Sequence, residues 1–207
     1  MSSEPVRVRQ SRPGDLEDLY RICLLTADAG DDATRLYSDP QLPGHIWAAP
    51  YAIFEPSLAF VAEDTEGVGG YVLAAFDTVA FERRLEEEWW PGLRSRYAEP
   101  SAEMPQGMSE AERHARHLIH HPWRADRDVI GGYPSHLHID LLPKMQGRGV
   151  GRRLIETLAA ALRGKGSRGL HLFVGSRNQR AQGFYRHVGF TELPVSDVHI
   201  FVMDFTS

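Results

Sequence analysis

Hydrophobic and polar positions along the chain follow two periods. Val6-Arg7-Val8-Arg9 alternates apolar with polar, the repeat of a half-buried strand. Pro13-Gly14-Asp15 then opens a segment whose apolar Leu16, Leu19, Tyr20 and Cys23 fall on one face of a helix. Between 31 and 56 the pattern weakens. Pro40, Pro43, Gly44, Pro50 and Pro56 interrupt any long helix, and Tyr37, Trp47 and Tyr51 read as exposed aromatics. This segment predicts a loop with short helices covering a site. Residues 58–63 and 68–76 read as two strands joined by Asp64-Thr65-Glu66-Gly67, where glycine supplies the positive φ that a hairpin turn requires.

Residues 77–135 are polar, with an acidic and aromatic knot at Leu85-Glu86-Glu87-Glu88-Trp89-Trp90 and one helical piece after Ser109-Glu110-Ala111-Glu112. They read as a long insertion before the fourth strand of a sheet domain. The last third is the most regular. A strand at 136–142 leads through a glycine-rich turn into a helix with Val150, Leu154, Ile155, Leu158 and Leu162 at 3.6-residue spacing. A strand at 170–174 follows, then a helix capped by Asn178, carrying Ala181, Phe184, Tyr185 and Val188 and ended by Gly189, then closing strands near 190–193 and 198–205. This alternation predicts a mixed α/β architecture over residues 1–207, taken as one domain.

Composition narrows the function. With 23 basic and 28 acidic residues the formal net charge is −5, which disfavours wrapping a polyanion, so no nucleic-acid partner is expected. The single cysteine, Cys23, forbids an internal disulfide and fits a reducing compartment. Residues 1–10 are polar, and no run approaches the roughly 20 apolar residues of a membrane span, so a cytoplasmic protein without a membrane partner is expected. Only Lys144 and Lys165 are lysines among the basic residues, a bias that suggests a GC-rich bacterial source.

Gln146-Gly147-Arg148-Gly149-Val150-Gly151 sits where a strand ends and a helix begins. Glycines let backbone approach a ligand closely, and first-turn N–H groups lack intrahelical partners, so the turn suits a pyrophosphate, with Arg148, Arg152 and Arg153 adding positive charge. A tight strand-to-helix connection accounts for the glycines equally well. The alternate-position glycines are neither a dinucleotide fingerprint nor a phosphate loop closed by Gly-Lys-Ser/Thr, which disfavours NAD and ATP. The pattern Gln-x-x-Gly-x-Gly, preceded by Leu141-Leu142-Pro143, resembles the acetyl-CoA loop of GNAT-superfamily N-acetyltransferases. Asn178-x-x-Ala181-x-x-Phe184-Tyr185-x-x-x-Gly189-Phe190 is similar to the second signature of that superfamily. The resemblance implies the GNAT fold, a central mixed, mostly antiparallel twisted sheet flanked by helices, with acetyl-CoA as cofactor.

A closer resemblance is to the acetyltransferase-like C-terminal domain of eukaryotic O-GlcNAcase. It is carried by Tyr20-Arg21-Ile22-Cys23, Gly70-Tyr71, Phe76-Asp77, Trp89-Trp90-Pro91, Ser109-Glu110-Ala111-Glu112, Ile139-Asp140 and Gly166-Ser167-Arg168-Gly169. The chain is too short to hold a glycosidase domain as well, and its glycine loop is intact, which favours cofactor binding.

The GNAT resemblance implies that Leu141 and Leu142 offer backbone groups to the pantetheine arm and an N–H to the oxyanion. Gln146, Gly147, Arg148, Gly149, Val150, Gly151 and Arg152 would hold the phosphates, with Asn178, Ala181, Phe184 and Tyr185 also touching the coenzyme. Tyr185 matches the tyrosine that protonates the coenzyme thiolate in many members; as a residue it also reads as packing on an apolar helix face. His136, His138 and Asp140 alternate along one strand and so share a face. The paired histidines resemble those of arylalkylamine N-acetyltransferases. An ordinary histidine pKa near roughly 6.5 suits proton removal, which ranks His138 first as base, Asp140 second and His136 behind them. A polar strand face bonded to the insertion accounts for the array as well.

His114, His117, His120 and His121 lack an accompanying metal motif, so no metal is expected. Cys23 reads as core. Glu86 to Glu88 read as a solvated face, or with Trp47, Trp89 and Trp90 as a lure for a cationic amine. The expected function is direct transfer of acetyl to a primary amine, on a small molecule or a peptide. The alternative is an inactive acetyl-CoA- or peptide-binding module. A DNA-associated acetyltransferase is disfavoured by the charge.

Overall fold

The alternating and helical repeats assemble, in a computed structural model, into a seven-stranded sheet with helices on both faces; residues 6–101, 107–194 and 199–206 are described. The strands are β1 (Arg7–Gln10), β2 (Ala59–Asp64), β3 (Gly67–Ala75), β4 (Ser135–Leu141), β5 (Gly169–Val174), β6 (Thr191–Leu193) and β7 (His199–Asp204). Their order is β1-β2-β3-β4-β5-β7-β6, and every neighbouring pair is antiparallel except β4 and β5. This is the mixed, mostly antiparallel sheet expected. The start expected for the last strand, Val198, lies outside the described residues, as do Met1 to Pro5 of the N-terminus.

Period-two alternation decides which helices each strand face meets. Tyr71, Leu73 and Ala75 of β3 join one core with α1 (Leu16–Leu24), α2 (Leu42–Trp47) and α3 (Ala49–Phe54). Val72 and Ala74 join the opposite core with α8 (Val150–Gly164) and α9 (Gln179–His187). The helical repeat of α8 is borne out: Val150, Leu154, Ile155, Leu158 and Leu162 are each no more than 2% exposed. Each such burial is worth roughly 1.5–3 kcal/mol against exposure.

The segment from 77 to 134 is far more helical than its polarity suggests. It holds α4 (Thr78–Arg84), a π-helical turn at Leu85–Trp89, α5 (Trp90–Arg96), α6 (Glu110–His120) and α7 (Arg127–Gly132). Asp77, Ser109 and Asp126 cap three of these helices through their side-chain oxygens. The apolar residues that seat them, Phe81, Leu85, Trp90, Leu93, Ala115 and Ile119, enlarge the core containing Tyr71. Tyr37 and Tyr51 are buried at 8% and 6% exposure, not surface aromatics, because their segment packs into the core that holds α1 and Tyr71. Cys23 lies there too, as expected, and burial pushes its thiol pKa up.

Candidate active site

Strands β4 and β5 pair in parallel only at Ser135–Leu170 and His136–His171, so the sheet is unzipped beyond that point. The Leu142 N–H donates to the Gly69 carbonyl at 2.9 Å. Ladder bonds alternate along an antiparallel pair, so in the same phase Asp140 and His138 bond toward β3, while the N–H groups of Leu141 and Ile139 turn to the open edge. This corrects one expectation: Leu142 has no N–H left for an oxyanion, and Leu141 has. A cavity of about 480 Å³ opens at this edge.

Among the expected site residues, Asp140, Leu141, Gln146, Gly147, Gly149, Val150, Gly151, Arg152, Asn178, Ala181, Phe184 and Tyr185 line the cavity. His136, His138, Leu142 and Arg148 do not. Thr26, Gly30, Ile139, Met145, Arg180, His187 and Val188 line it as well. Thr26 and Gly30 follow α1 in a turn with no periodic signal that ties it to residues a hundred positions on.

The glycine loop has the form a polyanion needs. Gly147 and Gly149 sit at φ of 68° and 70°, the left-handed region, which lets the chain reverse and leave the first turn of α8 facing the cavity. The N–H groups of Gly149, Val150 and Gly151 have no backbone acceptor among the described residues. A Cβ on Gly151 would meet the Phe184 ring at 2.9 Å and Leu141 at 3.2 Å, so this glycine lets α8 approach α9 and β4. Gln146 Nε2 donates to the Leu141 carbonyl at 2.8 Å and ties the loop to the strand end.

The three arginines separate. Arg152 lines the cavity, with Nη2 donating to the His187 carbonyl at 3.1 Å. Arg148 donates to the Lys144 carbonyl at 3.3 Å, outside the lining. Arg153 is turned away and donates to the Val6 carbonyl at 2.9 Å, because its helix position faces β1. Helix-terminal donors with Arg152 are a chemically suitable set for a pyrophosphate.

Asn178 Oδ1 accepts the Ala181 N–H at 3.0 Å and caps α9, as its spacing predicts. Tyr185 is 7% exposed and packs its ring on Phe190 and Phe201. Its hydroxyl has no partner among the described residues, yet it is not one of the sealed orphan atoms there, so it opens on the cavity. Burial, and then the Asp140 charge, push its pKa up, so the phenol carries its proton at neutral pH.

The opposite wall is Asp140, whose Oδ2 accepts the Tyr71 hydroxyl at 2.5 Å. Burial raises the Asp140 pKa, and hydrogen bonds from Tyr71 and Thr26 work against that rise. His138 and His136 stand on the same strand face, but the Tyr51 hydroxyl lies 3.1 Å and 2.9 Å from their Nε2 atoms. Burial lowers the pKa of His138 to about 4 and holds that of His136 well below its ordinary value. The ordinary histidine pKa that ranked His138 first is therefore not kept, and of the three expected bases Asp140 is the one that lines the cavity. Two partners of this array were not anticipated. Tyr51 lies in a proline-broken segment without periodicity, whereas His171 was signalled as the one imidazole within the apolar strand 170–174.

Other candidates have different employment. Glu86 bridges Arg94 at 3.0 Å and Arg124 at 2.8 Å and Trp90 is buried, while Glu87 and Glu88, the latter bridging Arg84 at 3.0 Å, are exposed, so the acidic run keeps its reading as a solvated face seated on a buried aromatic. On α6, His120 reaches the Tyr97 carbonyl, while His117 stacks on His121, which pairs with Glu99. Among the described residues no helix is long and apolar enough to cross a membrane.

Comparison with known proteins gives four findings. Residues 120–192 match the family model for an acetyltransferase (GNAT) domain. The crystal structure of SsHAT is 38% identical, covering 98% of this chain and 99% of that one, with a TM-score of 0.84. The protein O-GlcNAcase of Rattus norvegicus is 25% identical over 93% of this chain, which spans 21% of that relative's length. The fold is also that of a Drosophila melanogaster polyamine N-acetyltransferase that forms N-acetylagmatine, at 19% identity over 97% of this chain and 100% of that one, with a TM-score of 0.58.

Proposed function

The chain belongs to the GNAT acetyltransferases, and on that premise we propose that it takes acetyl from acetyl-CoA and moves it directly to a primary amine. One observation carries the reading: a single cavity joins the open N-terminus of α8, the free edge of β4, the Asp140 carboxylate and the Tyr185 hydroxyl. Acetyl-CoA supplies an activated thioester, and the residues supply placement and proton management.

Gly147, Gly149, Val150, Gly151 and Arg152 bind the pyrophosphate through backbone N–H groups and one guanidinium. The outward N–H groups of Ile139 and Leu141 hold the pantetheine amides and stabilise charge on the thioester oxygen. Asp140 pairs with the incoming ammonium and takes its proton, and its raised pKa strengthens it as a base. Tyr185, protonated at neutral pH, hands its proton to the departing thiolate; the acetylated nitrogen sheds its second proton, which restores the phenol, and Asp140 releases the first to solvent. Asn178, Ala181 and Phe184 complete the wall.

Cys23 is buried in the core behind Tyr71 and is not among the residues that line the cavity, which supports transfer without an acyl-enzyme. The acceptor is a small amine or the amine of a peptide. The test is to supply acetyl-CoA with a panel of agmatine, polyamines and lysine peptides, and to follow acetylated product by mass. Cys23→Ala is expected to keep the activity, and a mass-detected acetyl-enzyme would overturn direct transfer. Saturable coenzyme binding with no amine acetylated would identify an inactive binding module instead.

A further inference from the structure

Hydrogen bonds behind β4 run in one direction. The Thr78 hydroxyl has the Pro134 carbonyl as acceptor at 2.8 Å, and a carbonyl can only accept, so the hydroxyl proton is committed there. His136 Nδ1 lies 2.8 Å from the Thr78 oxygen and must therefore donate to it. Its Nε2 is left as a lone pair, which accepts the Tyr51 hydroxyl proton at 2.9 Å. The Tyr51 oxygen then accepts from His138 Nε2–H at 3.1 Å. Both rings are neutral, because burial lowers their pKa values. Two histidines one pleat apart thus hold opposite tautomers.

What remains is His138 Nδ1, a bare lone pair without a partner among the described residues. It is not sealed in: the buried side-chain polar atoms that lack a partner there are Trp90 Nε1 and His171 Nε2. His138 Nδ1 is therefore not sealed; the ring stands outside the cavity lining, one pleat behind Asp140 on the same strand face.

We propose that this chain is a tautomer lock, that it holds the His138 Nδ1 lone pair as a hydrogen-bond acceptor for the amine substrate, and that Tyr51, Thr78 and His136 are its positioning residues. The proposal rests on the amine-acceptor reading above. The chain ends in a carbonyl, so it cannot conduct a proton away; its role is orientation, while Asp140 takes the proton. A primary amine attacks with two N–H bonds to spare, one for Asp140 and one for His138, with its own lone pair aimed at the thioester. A secondary amine or a hydroxyl offers one and leaves an acceptor unpaired, which selects for primary amines.

Two measurements test this on the full chain. Nitrogen-detected imidazole spectra at neutral pH are expected to show His138 as the Nε2–H form and His136 as the Nδ1–H form. Tyr51→Phe, which keeps the ring on Phe81, should turn the His138 signals into a tautomer average. Thr78→Val should do the same to His136, and Thr78→Ser should restore the lock. In kinetics, Tyr51→Phe is expected to raise the amine KM about tenfold, equivalent to roughly 1.4 kcal/mol. It should narrow the preference for a primary amine over its N-methyl form and leave acetyl-CoA affinity unchanged. A His138 Nδ1–H form in the unaltered protein overturns the lock. A confirmed lock with an unchanged amine KM in Tyr51→Phe overturns its role. Failure of the unaltered protein to acetylate any amine overturns the amine reading and with it the role, while the spectra still judge the lock.

Discussion

Tyr185→Phe deletes one oxygen, and the surroundings of that oxygen set what its loss should do. The ring packs against Phe190 and Phe201 with centroids 5.5 and 5.6 Å away, contacts that phenylalanine keeps. The hydroxyl has no protein hydrogen bond among the described residues, so no buried partner is orphaned, and folding stability should change by less than about 0.5 kcal/mol. Acetyl-CoA affinity should stay within about threefold, since loop N–H groups and Arg152 carry that binding; threefold is roughly 0.7 kcal/mol. The chemical step loses its proton donor. General acid catalysis is worth roughly 10²–10⁴ in rate, or about 3–5 kcal/mol of barrier. The assay is steady-state release of the coenzyme thiol with a competent amine, alongside calorimetric affinity for acetyl-CoA and a urea melt. A turnover number within about threefold of the parent, with binding intact, would refute the assignment. A loss that tracks lowered stability or affinity would make Tyr185 a packing residue.

Asp140→Asn should lower kcat/KM at least about 100-fold, because an amide cannot take the amine proton. It should also raise the melting temperature at neutral pH, since the raised carboxylate pKa means that ionisation in place costs stability as pH climbs through it; a more stable but fully active variant would exclude Asp140 as the base. With Asp140 intact, kcat/KM should fall as pH drops through its raised pKa, leaving an acid limb above the ordinary carboxylate value of about 3.9. His136, His138 and His171 are all held neutral by burial. Their unfolded forms take up protons first, so stability is full above about pH 6.5 and is lost toward about pH 4, the value for His138. The His138 share is on the order of 3 kcal/mol, and urea midpoints that stay flat from pH 7 to about 5 would contradict it.

The legible parts of the chain were those in which one element carries its own repeat. The 3.6-residue spacing of α8, the alternation of His136 to Leu141 and the glycine loop between them are local patterns, and the structure keeps the helix, the strand and the loop. The four helices between β3 and β4 were mostly hidden, because Phe81, Leu85, Trp90 and Leu93 are sparse among charges and find their core only against α1 to α3. Roles that depend on which way a group turns were hidden for a similar reason. Leu141 and Leu142 look alike in sequence, yet pairing with Gly69 and Gly70 decides which N–H is free. His138 carries an ordinary pKa until Tyr51 and burial are counted, and Tyr51 lies 85 positions before its partner His136.

The central claim is that the loop before α8 holds acetyl-CoA, and calorimetric titration of acetyl-CoA and free CoA, with Gly149→Trp as control, tests it most directly. Gly149 lies on the cavity wall at φ of 70° with nothing within 4 Å of where a Cβ would sit. The variant therefore carries roughly 1–2 kcal/mol of backbone strain, without a clash, while its indole occupies the cavity. Saturable binding of both ligands to the parent protein, abolished in Gly149→Trp, is the predicted result. Folded protein that binds neither ligand at about 1 mM, weaker than roughly −4 kcal/mol, would contradict the account.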